Sequence, residues 1–220
     1  MVHTLQKYIH SREFPPLVKT SVIVTNYNYG FYLDRCLRSL INQSATDYNI
    51  IVVNDASDDY SSLILDYWER DPKLHIIRND QNIGLGPCCN KGILSSRSRY
   101  VIRVDADDFV CSDYVLLLSS FLDHSPTFDA VACDYYKVTR DNKHEIIDAM
   151  KEPIACGIMF RKEVLFDIGL YTEDPTARED IDLRDRFDLG KFKMGHIQAP
   201  LYRYNLHGNS MTNQMGDKNV

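Results

Sequence analysis

No apolar run in this 220-residue chain approaches the roughly 20 positions that a membrane-spanning helix needs. Met1 to Pro16 has no apolar core of signal-peptide length, so it reads as an irregular leader. With 10 glycines and 8 prolines, the composition is neither collagen-like nor that of a low-complexity disordered chain. Positive charge is in deficit: the formal net charge is −6, which argues against a nucleic-acid binder. The six cysteines lack the paired spacing of a zinc site, and Cys88 and Cys89 are adjacent. Most lie inside apolar segments, which suggests reduced core thiols in a cytoplasmic protein, with peripheral membrane contact left open. There is no internal repeat and no Walker sequence. Gly84-Leu85-Gly86 is neither a complete dinucleotide fingerprint nor placed after the first strand.

What is present is an alternating rhythm. Lys19–Thr25, Asn49–Val53, Lys73–Ile77 and Tyr100–Val104 are short apolar, β-branched runs that predict strands. Between them, Phe31–Asn42, Asp58–Glu69 and Gly86–Ser95 carry helical spacing. Strands alternating with helices and lacking hairpin signals imply a parallel sheet with helices on both faces. Beyond Val110 the rhythm loosens. A helix at Ser112–Leu122 is followed by strands at Ala130–Val138 and Gly157–Phe160, then a helix at Glu179–Leu189 and a last strand near Ala199–Tyr204. The expected organisation is a leader (1–17), one α/β domain (18–212) and a polar tail (213–220).

Ligands of parallel α/β sheets bind beyond the carboxyl ends of the strands. Three of the four strands here end in polar residues that no core requires: Thr25-Asn26-Tyr27-Asn28, Asn54-Asp55-Ala56-Ser57 and Asp105-Ala106-Asp107-Asp108. Asn-Asp-Ala-Ser alone would pass for an Asx-turn before a helix. Three carboxylates in four residues after an apolar strand are different, because they repel one another unless solvated or bound to a cation. An EF-hand is excluded, since Phe109, Val110 and Cys111 stand where later ligands belong. Carboxylates with positions left open for phosphate oxygens suit Mg²⁺ or Mn²⁺. With no other phosphate cradle, a diphosphate would be held mainly by metal.

Seven stretches then occur in order: Ser21-Val-Ile-Val-Thr-Asn-Tyr-Asn28, Val52-Val-Asn-Asp-Ala-Ser57, Asn82-Ile-Gly-Leu-Gly86 with Asn90-Lys-Gly92, Asp105-Ala-Asp-Asp108, Gly157-Ile-Met-Phe160, Arg178-Glu-Asp180, and Tyr202 to Thr212. On these, the chain from Val18 to about Thr212 resembles the family 2 glycosyltransferases with the GT-A fold. The resemblance implies a Rossmann-like, mainly parallel central sheet with a smaller mixed second half. It implies a nucleotide-binding half at about 18–110 and an acceptor and catalytic half at about 111–212. The donor would be a nucleotide-sugar, a UDP-sugar first, and the acceptor a hydroxyl of a carbohydrate, glycolipid or glycoprotein in glycan biosynthesis. Asp55 is similar to the carboxylate that hydrogen-bonds the base, and Thr25, Asn26, Tyr27 and Ala106 would share the nucleotide pocket. Asp105 and Asp107 are similar to the DxD pair, Asp107 binding the metal and Asp105 lying nearer the ribose or a metal-bound water. Glu179 and Asp180 match the acidic pair that supplies the catalytic base, and His207 is similar to a histidine that approaches metal and diphosphate.

The sequence departs from the family pattern at two positions. Ala56 stands where glycine is common, a mild change if the backbone there is not left-handed. Cys89 stands where many relatives carry arginine, removing a cation near the donor phosphates. The membrane helices and Gln-x-x-Arg-Trp signature of processive synthases are absent from the sequence, which predicts transfer of one or a few sugars per encounter. The rival readings are a sugar nucleotidyltransferase, which wants a Gly-rich basic loop where Asn26 to Gly30 stands, and a non-catalytic nucleotide-sugar or glycan-binding module.

Overall fold

The computed structural model describes residues 18–139, 143–174 and 178–207, so the expected leader (1–17) and tail (213–220) lie outside the described residues. Its first half alternates as the sequence predicts: β1 (Val18–Asn26), α1 (Gly30–Ile41), β2 (Tyr48–Asn54), α2 (Ser61–Trp68), β3 (Leu74–Arg78), α3 (Leu85–Ser95) and β4 (Ser98–Asp105). These four strands pair in parallel in the order β3-β2-β1-β4. The second half comprises β5 (Phe109–Val110), α4 (Tyr114–His124), β6 (Ala130–Val138), β7 (His144–Ile147), β8 (Ile158–Arg161), α5 (Lys162–Asp167), α6 (Glu179–Leu189) and β9 (Met194–Asn205). It extends the same sheet as β4-β8-β6-β9-β5, with β7 on β6, and it is mixed: β8 runs antiparallel to both β4 and β6, while β9 runs parallel to β6.

Strand periodicity divides the core between two faces. Val22, Val24, Ile50, Val52, Tyr100, Ile102 and Val104 pack on one face with Leu33 and Leu37 of α1, Leu65 of α2 and Leu118 of α4. Ile23, Ile51 and Val101 face the other way, toward Ile93 of α3, Leu165 of α5, and Leu183 and Phe187 of α6. Helices therefore cover both faces, and α6 lies on the same side as α3. Gly92 lets α3 approach the sheet closely, because a Cβ there would stand 2.5 Å from Ile23 Cγ2. The six thiols are free, and five of them are buried.

Some elements were not legible in the sequence. α5 has six residues and β7 and β5 four and two, too short to show a period. β9 starts five residues before the apolar run at Ala199, because Met194-Gly-His-Ile-Gln pairs with β6 despite its polar content. β8 extends to Arg161, a buried arginine whose guanidinium donates to Phe128 O (2.9 Å) and Leu122 O (2.8 Å). It thereby satisfies a carbonyl at the carboxyl end of α4, where a cation is also favoured by the helix dipole.

The condition attached to Ala56 fails. Its φ is 55°, in the left-handed region, where a Cβ meets the following carbonyl and costs roughly 1–2 kcal/mol. Part of that cost offsets the extra chain entropy that glycine would lose on folding. Ala56→Gly is therefore expected to stabilise the fold by about 1 kcal/mol and to raise Tm by roughly 2–4 °C in calorimetry. An unchanged or lower Tm would mean that the left-handed turn is not strained.

Candidate active site

Register brings the polar strand ends together. Asn26 lies opposite Asn54, and Thr25 lies opposite both Val53 and Asp105, so the ends of β2, β1 and β4 finish level. The Asp55 amide continues the line by donating to Asn26 O at 2.8 Å. Asp55 and Asp105 thus flank β1, about 10 Å apart by strand spacing. Thr25 and Asn26 are buried at this edge, whereas Tyr27 is 46% exposed just beyond it. Asn26 Nδ2 donates to Asn54 Oδ1 and to Ser57 Oγ, both at 3.0 Å. Asn26 Oδ1 is a buried acceptor without a partner among the described residues.

Asp55 is held rigidly. Its Oδ1 accepts from Asn79 Nδ2 (2.8 Å) and the Ile83 amide (2.9 Å), and its Oδ2 from the Gly84 amide (2.9 Å). Gly84 supplies that amide at φ 90°, a conformation that side-chain-bearing residues rarely adopt. The Cys88 thiol is a further donor to this carboxylate, which has about four acceptor positions. Lys91 donates to Asn79 Oδ1 behind this group, a basic contact that the sequence reading did not single out.

The three carboxylates after β4 each meet a different partner. Asp105 is gripped by Arg103, whose Nε donates to Oδ1 at 2.6 Å and Nη2 to Oδ2 at 3.1 Å. Positions 103 and 105 share a strand face, and this is the face toward α6. Arg103 Nη1 accordingly reaches Glu179 Oε1 at 3.3 Å. Arg103 is only 7% exposed, and a buried guanidinium requires such paired acceptors. Asp107 Oδ2 lies 2.8 Å from His207 Nε2, while the backbone carbonyl of Asp107 accepts from Arg35 Nη2 at 3.0 Å. Tyr32 stacks on the His207 ring at 4.4 Å and fixes its plane. Asp108 is fully buried: its Oδ2 accepts from the Tyr202 hydroxyl and its Oδ1 from the Asn205 amide, both at 2.7 Å. Burial, and then the charges of Asp107 and Asp105, push its carboxyl well above the usual range, against the pull of those two donors. Ala106, between them, is buried in the core.

The expected metal set is only partly gathered. Asp107 and His207 stand as a pair at a separation close to the roughly 3 Å between neighbouring ligands of an octahedral ion with bonds of about 2.1 Å. Asp105 does not join them within reach of one ion. Among the described residues the groups of three or more that come that close are Asp105, Asp108 and Cys156, and Asp134, Asp148 and His196. Cys156 is a poor candidate ligand, because burial and then the neighbouring Asp105 and Asp108 charges hold its thiol protonated.

Glu179 and Asp180 open α6, as expected, in the first turn where the helix dipole favours anions. Asp180 accepts from Arg178 Nη2 at 3.3 Å, and its side chain is 17% exposed. Through Glu179, Arg103 and Asp105, this helix start is fastened to the carboxyl end of β4. The contributions of Arg103, Asn79, Tyr202 and Asn205 were missed by sequence reasoning. Arg103 left a signal as a charged residue inside an apolar strand, and Tyr202 and Asn205 lay within the Tyr202 to Thr212 stretch without their bonds to Asp108 being foreseen.

Residues 21–179 match the family described as Glycosyl transferase family 2. Glycosyltransferase GlyA of Streptococcus pneumoniae serotype 4 is 40% identical over 232 residues, covering 91% of this chain and 32% of GlyA. The fold is similar to S. aureus TarS 1–349, solved with UDP-GlcNAc (TM-score 0.75, 18% identity, 87% of this chain and 60% of TarS). It is also similar to the mannosyltransferase PcManGT of Pyrobaculum calidifontis, solved with GDP-Man and Mn²⁺ (TM-score 0.70, 17% identity, 94% of this chain and 64% of PcManGT). The chain spans less than two thirds of the length of the curated relatives it matches. On its sequence and its GT-A fold, the chain belongs to glycosyl transferase family 2.

Proposed function

We propose that the protein is a divalent-metal-dependent glycosyltransferase that moves a sugar from a nucleotide-sugar, a UDP-sugar first, to an acceptor hydroxyl with inversion, in glycan assembly. One observation carries this reading: Asp55 and the Asp107–His207 pair lie at one edge of the sheet, and Glu179, the residue before Asp180, is tied to the same edge through Arg103 and Asp105. The ligands in the TarS and PcManGT structures, UDP-GlcNAc in one and GDP-Man with Mn²⁺ in the other, support it. Residues 18–110 would form the nucleotide-binding half, with 111–212 shaping the acceptor side.

Asp55 would accept from the imide N–H of a uracil base, in exchange for the weak Cys88 thiol donor. Thr25 and Asn26 would line that pocket and Tyr27 would stack on the base, whereas the Ala106 methyl is packed in the core, leaving only its backbone to face a nucleotide. Asp105, immobilised by two guanidinium bonds, would accept from a ribose hydroxyl or an ion-bound water. Asp107 and His207 would hold Mn²⁺ or Mg²⁺: the carboxylate suits either ion, while the imidazole nitrogen favours Mn²⁺, because Mg²⁺ prefers oxygen donors. Bound there, the ion would offset negative charge on the departing nucleoside diphosphate, the kind of help worth several kcal/mol. Asp180 takes the proton of the acceptor hydroxyl as its oxygen bonds to the anomeric carbon. The bond from that carbon to the phosphate oxygen breaks on the opposite face, which inverts the centre. General-base help of this kind is worth about 10²–10⁴ in rate. Glu179 positions the helix start through Arg103.

Asp180→Asn is expected to lower turnover at least about 100-fold while UDP affinity by calorimetry stays within about twofold. Unchanged turnover in a nucleoside-diphosphate release assay would remove Asp180 from the base role. EDTA is expected to abolish donor cleavage, with Mn²⁺ restoring it. His207→Ala should weaken Mn²⁺ binding in the presence of UDP, read by electron paramagnetic resonance, by about tenfold or more. Full activity in EDTA, or an unaltered Mn²⁺ titration, would contradict the metal assignment.

A further inference from the structure

Beside the candidate base lies a cavity that the reaction as described does not use. It has a volume of about 210 Å³ and separates the inner face of α6 from the sheet. The helix presents two rows to it. Leu183 and Phe187, four residues apart, form an apolar wall, while Asp180, Arg184 and Asp188, at the same spacing, form a polar one. From the sheet it is lined by Ala132 of β6 and by Ile158 and Phe160, which share one face of β8. The segment between β7 and β8 closes it with Ala149, Pro153, Ile154 and Ala155. Phe160 and Phe187 meet edge to face at 5.9 Å, which stiffens the apolar side.

The occupant is constrained by three features. Apolar side chains dominate the lining, and an apolar cavity of about 150 Å³ suffices to bind benzene, so this one admits a ring with substituents or a short branched alkyl group. Asp180 is paired with Arg178, and Arg184 stands between Asp180 and Asp188, so the polar row offers no surplus cation for a phosphate or carboxylate. Asp180 belongs both to this lining and to the candidate base position, so a group seated in the cavity is covalently close to the hydroxyl being deprotonated. The donor's nucleotide, by contrast, is claimed by the β1, β2 and β4 ends.

We infer that the cavity receives a neutral apolar group of the acceptor, an aryl or alkyl aglycone adjoining the reactive hydroxyl, rather than a second polar sugar. The inference rests on Asp180 serving as the base. It sets the acceptor class as an amphipathic glycoside or alcohol, and it assigns Ala149, Ile154 and Ala155 as specificity-determining positions.

The test compares phenyl β-D-glucopyranoside with methyl β-D-glucopyranoside, bound to the UDP-loaded protein, by saturation-transfer NMR. The phenyl glycoside is expected to bind at least about tenfold more tightly, with the strongest saturation on its ring protons. Ala155→Phe, which fills the cavity from its rim, should erase that preference while Tm and UDP affinity stay near those of the unaltered protein. Ile154→Phe is a second filling variant, should the first destabilise the fold. Equal affinity for the two glycosides, or a phenyl preference that survives filling, overturns the inference. Failure of the transferase reading would show elsewhere, as absent UDP binding and absent donor cleavage, whatever the aglycone preference.

Discussion

A buried guanidinium organises this molecule. Arg103 sits in an apolar strand with its charge removed from water, a placement that is tolerable only when well-placed carboxylates surround it. It finds one in Asp105, two positions along the same strand face, and another in Glu179 at the start of α6. The pair with Asp105 is local, but the bond to Glu179 is not. It fastens a helix from the second half of the chain to the edge where the first half ends. Breaking such an arrangement by removing one partner is strongly destabilising, which also makes it an effective positional lock.

The same edge shows how an acidic cluster can persist in a folded protein. Asp105, Asp107 and Asp108 are consecutive or nearly so, yet strand and turn geometry sends each carboxylate to a separate partner. One pairs with Arg103, one with His207, and one is buried under Tyr202 and the Asn205 amide. Asp108 in particular ties β9 to the turn after β4, so the last strand helps to shape the turn that carries Asp107. The start of α6 and the turn after β4 are thereby held together at one edge of the sheet.

Much of this was legible in the sequence. The four apolar runs that became β1 to β4 each carry β-branched residues on both faces, so burial was evident, and the polar residues at their ends could only gather on one edge. The helix opening at Glu179 was legible from its acidic first turn. Other features depend on tertiary contacts that no local pattern records. Arg103 reads as an interruption of a strand until α6 is placed beside it. The pairing of Asp107 with His207 spans 100 residues, and nothing local distinguishes Asp108, which Tyr202 covers, from the other carboxylates of the run. The left-handed turn at Ala56 shows the opposite limit, since an alanine gives no local sign of a positive φ.

The central claim is that Arg103 and Glu179 act as one unit in assembling the site. A double-mutant cycle with Arg103→Met and Glu179→Gln, scored on kcat/KM for donor cleavage, tests it most directly. Strong non-additivity is expected, with the double variant little worse than the poorer single one and a coupling of about 1 kcal/mol or more. Losses that add to within roughly 0.5 kcal/mol would contradict it.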